Sequence, residues 1–243
     1  MNIVVQKMGG SSVATTDKLF NVCRRIIEEK ENGKDIVVVV SAQGKTTDRL
    51  IEEEKEITDT PNKREHDMLV SVGEQITIAK LSMCLRKLGY DSVSFLGWQV
   101  PIITDSNYTD ANILKIKTNN IVRELKKGNI VIVAGFQGVD RYNNITTLGR
   151  GGSDTTAIAL AAALNAEKCE LFKDVDGVYS NDPKKYQNAT IFKKISYDKM
   201  LELSNNGAKL LQNKSVEIAK QNKIKVLVRS IMNTNTPGTV VEN

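Results

Sequence analysis

Residues 36–47 have the sequence IVVVVSAQGKTT, five apolar residues followed at once by small and polar ones. A strand that is apolar at every position is buried on both faces, which is typical of a parallel sheet covered by helices. Comparable apolar runs occur at residues 3–5 and 130–134, and further strand candidates at residues 92–96, 100–104, 169–172 and 225–228. The pattern therefore predicts a largely parallel sheet buried inside the molecule.

Segments with the apolar spacing of helices separate these runs, at residues 17–31, 65–88, 119–127, 153–164, 199–203 and 214–221. Strands that alternate with helices predict an α/β fold, a three-layer α/β/α sandwich, and no linker divides residues 1–243. Right-handed crossovers would place the carboxyl ends of the strands along one edge, where such folds bind ligands. The turn-rich residues 233–238 are expected to lead the chain out of this domain.

The composition is that of a soluble globular protein, with 243 residues that are 40% hydrophobic and 26% charged. The net charge of +5 comes from scattered residues without a run of five like charges, so no nucleic-acid-binding tail is indicated. Cys23, Cys84 and Cys169 form no C-x-x-C pair, which argues against a zinc site and suits a reducing compartment. We find no signal-peptide pattern and no apolar run long enough for a bilayer, which predicts a cytoplasmic protein with no nucleic acid and no membrane as a partner.

The first polar motif is residues 7–12, KMGGSS, between the first strand and the first helix. Glycines allow a phosphate to approach the backbone closely, and a helix that begins at the serines favours an anion. Lys7 would add a mobile positive charge, although the order of residues is not that of a Walker A loop. A plain strand-to-helix turn explains the same residues about as well.

Residues 146–156, TTLGRGGSDTT, open an alanine-rich helix. Three glycines in a polar cluster predict a backbone nest for an anion, and Arg150 can bind a carboxylate through two hydrogen bonds. In the alternative interpretation, Ser153 caps the helix and Asp154 interacts favourably with the helix dipole. That alternative explains neither the glycines nor Arg150, so the functional interpretation is favoured.

Three further segments are less specific when each is taken alone. Residues 173–184, KDVDGVYSNDPK, lack the spacing of a calcium loop, and Asp-Gly and Asp-Pro turns account for them as well as a ligand site does. Gly73-Glu74 lies inside a predicted helix, where glycine costs about 1 kcal/mol relative to alanine, so a close backbone approach is indicated. Residues 207–209, GAK, end in a lysine of a kind that is more often at the surface, and the lone His66 is expected at the surface too.

Together and in this order, these segments resemble the aspartokinases of the amino-acid kinase superfamily, and the likeness covers nearly the whole chain. Residues 7–12 are similar to the family's Lys-Phe-Gly-Gly-Thr-Ser signature, and the Phe-Gln-Gly and Leu-Gly-Arg-Gly-Gly-Ser-Asp pieces favour aspartate over the substrates of related kinases. The sequence departs from the family where Lys173 replaces a usual threonine and where Gln212-Asn213 replaces a common His-Pro. The matching segments are residues 7–12, 41–47, 73–74, 135–138, 147–156, 174–179 and 207–209.

The resemblance implies a role for each matching residue. Lys7, Asp154 and Lys209 would be catalytic, with Asp154 orienting the phosphate-binding groups or serving the magnesium shell. Glu74 would bind the ammonium group of aspartate and Arg150 its α-carboxylate. The full substrate-binding set would be Ser41, Thr47, Glu74, Arg150, Gly151 and Ser153. The nucleotide-binding set would be Lys7, Gly9, Gly10, Ser12, Lys173, Asp174, Tyr179, Asp182, Lys184 and Lys209.

The resemblance further implies ATP-dependent phosphorylation of the β-carboxylate of L-aspartate to 4-phospho-L-aspartate, the first step of lysine, threonine and methionine biosynthesis. ATP and Mg²⁺ would be required, no protein ligand of the metal is assigned, and a homodimer is expected. The sequence stops about where the family's C-terminal ACT regulatory domains begin, so residues 1–243 are expected to be the catalytic domain without them. Its N-terminal part would bind mainly the amino acid, and the part from about residue 150 mainly the nucleotide. Two alternatives stay open: a kinase of the acetylglutamate or UMP type, and a silent ligand-binding module.

Overall fold

The structure is a computed structural model that describes residues 1–181, 186, 188–206, 210–233 and 236–243. Its strands are β1 (Ile3–Met8), β2 (Asp35–Val40), β3 (Ser92–Phe95), β4 (Ile102–Thr104), β5 (Ile113–Ile116), β6 (Ile130–Ala134), β7 (Gln137–Val139), β8 (Ile145–Thr147), β9 (Lys168–Lys173), β10 (Lys194–Ile195), β11 (Val226–Ser230) and β12 (Thr239–Val241). Its α-helices are α1 (Thr16–Glu31), α2 (Thr46–Ile57), α3 (Lys63–Val70), α4 (Val72–Lys87), α5 (Asn119–Lys126), α6 (Gly152–Ala163), α7 (Tyr197–Asn205) and α8 (Asn213–Asn222). A short 3-10 turn, Gly10–Val13, follows β1.

The apolar runs form the centre of a large sheet in the order β10-β12-β11-β9-β1-β2-β6-β3. Its strand pairs are parallel except for β11 with β12. Every residue of β1 and of β6 is buried, as a strand covered on both faces requires. The carboxyl ends of the central strands β1, β2, β6 and β9 therefore lie along the same edge of the sheet.

Helices cover both faces of this sheet and create two apolar cores. On one face, α1 and α4 pack on alternate strand residues such as Val4 and Val38. On the other face, α5, α6, α7 and α8 pack on the residues in between, such as Val5 and Val39. This arrangement confirms the three-layer α/β/α sandwich with a largely parallel sheet that the sequence predicts.

A second, smaller sheet has the order β5-β4-β7-β8, and of its strands β4 lies within the predicted strand at residues 100–104. Strands β5, β7 and β8 have no counterpart among the sequence predictions, because an apolar alternation over three or four residues has too few positions to stand out. Strand β7 follows the carboxyl end of β6, and β8 leads into α6. The small sheet therefore stands beside the edge where the central strands end.

Three local features differ from the sequence predictions. The predicted helix at residues 65–88 is divided into α3 and α4, which are nearly continuous because Ser71 between them keeps a right-handed helical backbone, and the Ser71 carbonyl accepts a hydrogen bond from Gln137 Nε2 (2.8 Å). Helix α2 follows β2 although no helix is predicted there, since its exposed face dominates its sequence and its buried residues are Leu50 and Glu54. The exit from the domain predicted at residues 233–238, of which 234 and 235 lie outside the described residues, is wrong, because the chain returns as β12 and pairs with β11 and β10.

One stretch of the described residues, Lys63–Lys87, is long and apolar enough, by length and composition, to cross a membrane. Half of its most apolar window is buried inside the fold, where α4 packs on α1, β3 and β6. Because a core helix passes the same test of length and composition, the packing of α4 accounts for its apolar sequence.

Candidate active site

Loops that follow the central strands meet at their shared edge. The loop after β1 contacts the loop after β2 through a hydrogen bond from Gly44 N to Gly10 O (2.9 Å). The loop after β6 contacts α6, where Phe136 N donates to Thr156 Oγ1 (3.1 Å). Since parallel strands point their carboxyl ends in the same direction, motifs that are scattered over the sequence become neighbours here.

Two glycines allow this cluster of loops to close. A Cβ added to Gly10 would lie 2.5 Å from Ala42 O, and one added to Gly73 in α4 would lie 2.6 Å from Ala42 Cβ. Real side chains do not approach so closely, so another residue at either position would displace the loop after β2. A Cβ on Gly9 would meet only ordinary contacts, with Lys7 Nζ nearest at 3.7 Å. The close backbone approach inferred for Gly73 is therefore an approach of α4 to this loop.

A buried cluster of three charged groups joins β1, α6 and β9. Asp154, in the first turn of α6, places one carboxylate oxygen 2.9 Å from Lys7 Nζ and the other 2.5 Å from Lys173 Nζ. Burial alone would raise the pKa of the Asp154 carboxyl, but the two ammonium groups reverse this and hold the pKa below its ordinary value. For Lys173, burial lowers the pKa by more than the attraction of Asp154 raises it.

The three groups carry one more positive charge than negative charge. Lys7 Nζ lies close to Asp154 Oδ1 but off the direction of a hydrogen bond, so its N–H groups remain available to another acceptor. The same ammonium group lies beside Gly9, whose backbone is open to a ligand. A further anion that entered here would be attracted by both lysines and would meet no bulky side chain at Gly9.

Glu74, in the first turn of α4, is a second buried carboxylate, with 3% of its surface exposed. Its Oε1 accepts a hydrogen bond from Ala42 N (2.8 Å), whereas Oε2 has no hydrogen-bond partner in the described part of the chain. Burial raises the pKa of Glu74 to about 7, although the Ala42 N–H and the charge of Lys7 oppose this. A buried carboxylate oxygen without a donor is costly, and a ligand with an ammonium group would satisfy it.

The segment before α6 turns through two glycines in the left-handed region, Gly149 with φ +71° and Gly151 with φ +73°. Helix α6 therefore begins at Gly152, and no described side chain caps it. Ser153 lies inside the first turn and packs against Gly135, where an added Cβ would be 2.7 Å from Ser153 Oγ. The alternative in which Ser153 caps the helix is thus wrong, and the uncapped helix start remains suited to an anion.

Arg150 lies between these two glycines and is exposed. It forms no hydrogen bond or ion pair with the residues that the structure describes. Because the turn holds its backbone at the rim of the loop cluster while its guanidinium is unpaired there, Arg150 is able to bind a carboxylate ligand at that rim.

The remaining substrate-site and loop candidates lie around the same edge. Ser41 follows β2, and its backbone N–H donates to Met8 O (3.2 Å). Thr47 is half-buried in the first turn of α2. Ser12 is buried in the 3-10 turn after β1. The structure therefore brings these residues to the loops that surround Glu74 and Lys7.

The candidates on the nucleotide side are only partly described. Asp174 follows β9 and is exposed, next to Lys173 of the buried charge cluster. Tyr179 is half-buried and forms an isolated antiparallel bridge with Ile191. Three candidates lie outside the described residues: Asp182, Lys184 and Lys209.

Strand β12 holds the loop after β9 in place. Thr239 is completely buried, and its Oγ1 accepts a hydrogen bond from Val178 N (2.8 Å) and donates one to Phe192 O (2.5 Å). A Cβ added to Gly177 would lie 2.5 Å from the same hydroxyl oxygen. Nothing in the sequence around Thr239 signals this contact, since its partners are about 50 to 60 residues away along the chain.

Sequence reasoning also missed Asp67, and it named Gln137 only as part of the family-like residues 135–138, without a role. Asp67, in α3, is completely buried and bonds to residues of two loops, whereas Gln137 bonds to Ser71 at the junction of α3 and α4. A signal for Asp67 existed, because the spacing of seven residues between Asp67 and Glu74 places both carboxylates on one helix face. Gln137 lies in the Phe-Gln-Gly piece of the resemblance, but nothing in the sequence indicated its hydrogen bond to Ser71.

No group of three or more His, Cys, Asp and Glu side chains within the described ranges could hold a metal ion. Asp154, the carboxylate of the buried charge cluster, already faces an ammonium group with each of its oxygens. In that part of the chain, a divalent cation would therefore need ligands that a bound phosphate supplies.

A family model and curated relatives both match this chain. The model of the amino acid kinase family matches residues 2–230. The chain is 52% identical to an aspartokinase of Bacillus sp. (strain MGA3) and 53% identical to one of Geobacillus stearothermophilus, over its whole length and 59% of the length of each relative. The chain thus spans about three fifths of the curated relatives that it matches.

Solved structures are similar over nearly the whole chain. The aspartate kinase from Synechocystis matches 99% of this chain and 39% of its own, with a TM-score of 0.88 and 42% identity. E. coli aspartokinase III in complex with aspartate and ADP matches 99% of this chain and 64% of its own, with a TM-score of 0.87 and 26% identity. A UMP kinase from Bacillus anthracis shares the fold, with a TM-score of 0.71 at 18% identity.

Proposed function

The chain belongs to the amino acid kinase family, and from that premise we propose that it transfers the γ-phosphoryl group of ATP to the β-carboxylate of L-aspartate. The products would be 4-phospho-L-aspartate and ADP, at the first step of lysine, threonine and methionine biosynthesis. The observation that carries the proposal is that the same edge of the sheet holds the buried Glu74 and a buried cluster of two lysines and one aspartate, in a chain about 50% identical to aspartokinases over its whole length.

At the amino-acid end of the site, two side chains of opposite charge would bind the substrate, one of them buried and the other exposed. Glu74 Oε2, which is buried without a donor among the described residues, would accept the ammonium group of L-aspartate. Arg150, exposed and unpaired within the described chain, would bind the α-carboxylate through two hydrogen bonds. The substrate would then direct its β-carboxylate towards Lys7, helped by the proposed contacts with Ser41, Thr47, Gly151 and Ser153.

The phosphoryl end would use the surplus positive charge of the cluster around Asp154. Asp154 holds the ammonium groups of Lys7 and Lys173 in fixed positions, so little reorganisation is needed when a phosphate arrives. Gly9, Gly10 and Ser12 would contribute a backbone that a phosphate can approach closely. The orienting role of Asp154 is preferred to a place among the magnesium ligands, because both its oxygens already face lysines.

The β-carboxylate of aspartate is an anion at neutral pH, so the transfer needs no general base. One of its oxygens would form a bond to the γ-phosphorus while the bond from that phosphorus to the bridging oxygen breaks, and ADP leaves with the electron pair. Mg²⁺ would neutralise charge on the triphosphate when bound. The chain's own contribution would be to align the two anions and offset their repulsion through Lys7, Lys173 and the start of α6.

The same proposal assigns the two substrates to different parts of the chain. Residues before about position 150 would bind mainly aspartate, and those after it mainly the nucleotide. Asp174 and Tyr179 lie in the loop after β9, beside Lys173. The nucleotide-binding set would be completed by Asp182, Lys184 and Lys209.

The proposal includes a homodimer in the cytoplasm. A surface that suits a second copy is the outer side of α3 and α4, where a row of large apolar side chains is exposed: Met68, Val72, Ile76 and Met83. Sedimentation velocity on the wild type and on Met83→Glu tests this. A monomeric wild type at micromolar concentration, or a dimer that Met83→Glu leaves unchanged, would contradict the proposed contact.

The test of the activity is ATP- and Mg²⁺-dependent hydroxamate formation with L-aspartate in the presence of hydroxylamine. L-Glutamate and N-acetylglutamate run beside it, and UMP is followed by release of ADP because it forms no acyl phosphate. A signal with L-aspartate alone, lost in Lys7→Ala, is the expected result. Turnover of another substrate would favour the acetylglutamate or UMP alternative, and silence with every substrate would favour a binding module.

A further inference from the structure

The helices α3 and α4 present a row of buried polar side chains to the loops of the site. Asp67, Ser71 and Glu74 are spaced by four and three residues and therefore lie on one helix face. All three are buried, with 0%, 4% and 3% of their surface exposed. Asp67 and Glu74 bond through their carboxylates and Ser71 through its backbone carbonyl, so this face connects segments that are far apart in the sequence.

The three connections all lead to the half of the site that would bind aspartate. Glu74 accepts from Ala42 N in the loop after β2, and the carbonyl of Ser71 accepts from Gln137 Nε2 in the segment after β6. Asp67 accepts from Thr147, two residues before Gly149 and three before Arg150. No other described contact ties α3 to the Arg150 turn by a charged group.

Asp67 has an unusually complete set of donors for a carboxylate without a cation. Thr147 N and Oγ1 donate to it at 2.8 and 2.7 Å, and Thr109 N lies 3.0 and 3.2 Å from its two oxygens. No Lys, Arg or His of the described residues lies within ion-pair distance of it. Hydrogen bonds to a buried carboxylate are strong and directional, so Asp67 fixes the relative positions of both segments.

The Thr109 segment packs directly on the turn that carries Arg150. Ala111 N donates to Thr147 O (2.9 Å), and a Cβ added to Gly149 would lie 3.1 Å from Thr109 O. Thr109 itself has a positive φ of 72°, a conformation that needs support from its surroundings when the residue is not glycine. The Asp67 carboxylate supplies that support by accepting the Thr109 N–H.

We propose that Asp67 is a positioning residue of the aspartate site, which holds the Thr109 segment and the Arg150 turn so that Arg150 and Glu74 reach one substrate molecule together. This inference rests on the proposed function for its substrate. Asp67 acts through Thr147 and Thr109 and touches neither substrate. The nucleotide side is tied to β12 instead, so it does not depend on Asp67.

The test compares Asp67→Asn, Thr147→Val and the control Glu65→Gln. Asp67→Asn keeps the size of the side chain but directs its N–H₂ group towards the N–H and O–H donors of Thr109 and Thr147. Thr147→Val removes one of the four contacts, the one from the Thr147 hydroxyl, and leaves Asp67 unchanged. Glu65 is an exposed carboxylate in the first turn of the same helix, so its change should alter nothing. We expect the KM for L-aspartate to rise about tenfold in Asp67→Asn and less in Thr147→Val, with the KM for ATP and kcat within about twofold.

Hydrogen–deuterium exchange provides a readout that needs no turnover. Amides of residues 106–111 and 147–151 should exchange faster in Asp67→Asn and, more weakly, in Thr147→Val, while residues 174–179 keep the wild-type rate. If Asp67→Asn does not fold, Thr147→Val decides alone. Unchanged exchange in both segments would overturn the positioning role, and so would KM values for ATP and aspartate that rise in proportion. A wild type that does not phosphorylate aspartate would refute the proposed function, and with it the substrate of this inference, while the exchange result would still decide whether Asp67 holds the two segments.

Discussion

At the scale of single residues, the two buried carboxylates of the site differ in what surrounds them. Asp154 faces two ammonium groups, and its pKa is held below the ordinary value. Glu74 is buried, and its ionised form is favoured only by one backbone donor outside its helix and by the more distant charge of Lys7. Its pKa is therefore raised to about 7. Asp154 is therefore ionised at neutral pH, whereas Glu74 titrates there and needs a cationic ligand to keep its charge.

This difference predicts the pH dependence of aspartate use. We expect kcat/KM for L-aspartate to increase as pH rises through about 7, because only ionised Glu74 pairs with the ammonium group. Below that pH each unit should cost up to about tenfold. The effect on folding has the opposite sign, since a carboxyl whose folded-state pKa is raised favours the folded protein at acid pH and loses this contribution as pH rises through about 7. Initial rates at limiting L-aspartate, with melting temperatures of the free protein, measure both.

The matched variant for this prediction is Glu74→Gln, which keeps the size and removes the titration. Its kcat/KM for L-aspartate should be low and should not rise with pH in the same range. A variant that retained the wild-type pH profile would assign that profile to another group.

A second prediction for single residues concerns the effect on kcat of the two lysines beside Asp154. Lys7→Ala should lower kcat on the order of 100-fold while changing the KM for L-aspartate little, because its charge acts on the phosphoryl group in transfer. Lys173→Met should lower kcat by about tenfold, and Lys173→Arg should restore part of it because a cation beside Asp154 is kept. Steady-state kinetics decide this, with the exposed Lys126→Met as the control. An unchanged kcat in Lys7→Ala would remove that residue from the phosphoryl site.

At the scale of elements, the turn after β1 distinguishes two neighbouring glycines. Gly9 has φ −74° and room for a Cβ, whereas a Cβ on Gly10 would collide with Ala42 O. Gly10→Ala should therefore destabilise the fold by about 1–3 kcal/mol, since the loop after β2 must move. Gly9→Ala should change stability by less than about 1 kcal/mol. Urea denaturation of both variants measures this, and equal losses would mean that the loops do not touch as described.

The elements that the sequence reveals are those whose signal is local. The buried runs of β1, β2 and β6 and the periodic α1 are evident because every residue, or every third or fourth, is apolar. Strands β5, β7, β8 and β12 are not evident, because strands of three or four residues depend on their partners. For the candidate site, the glycine-rich motifs indicate Lys7, Arg150 and Asp154, but no local pattern indicates Asp67, Thr239 or the contact of Gln137 with Ser71. Those side chains act through partners that are distant in sequence, which a local pattern does not contain.

At the scale of the whole molecule, the two halves of the site are attached to different parts of the fold. The loops proposed to bind aspartate are tied to α3 and α4 through Asp67, Ser71 and Glu74. The loop after β9, which is proposed to bind the nucleotide, is tied to β12 through Thr239. Because β12 pairs only with β11 and β10, away from α4, disturbing one attachment should leave the other half intact.

Thr239→Val tests this separation. The substitution leaves Val178 N and Phe192 O without their buried partner, which loosens the loop that carries Asp174 and Tyr179. We expect the KM for ATP to rise about fivefold to tenfold, with the KM for L-aspartate within about twofold, the reverse of the pattern for Asp67→Asn. Thr239→Ser keeps the hydroxyl and should behave as the wild type. If Thr239→Val raised both KM values equally, the two halves would share one attachment, and the division of the chain near residue 150 would be wrong.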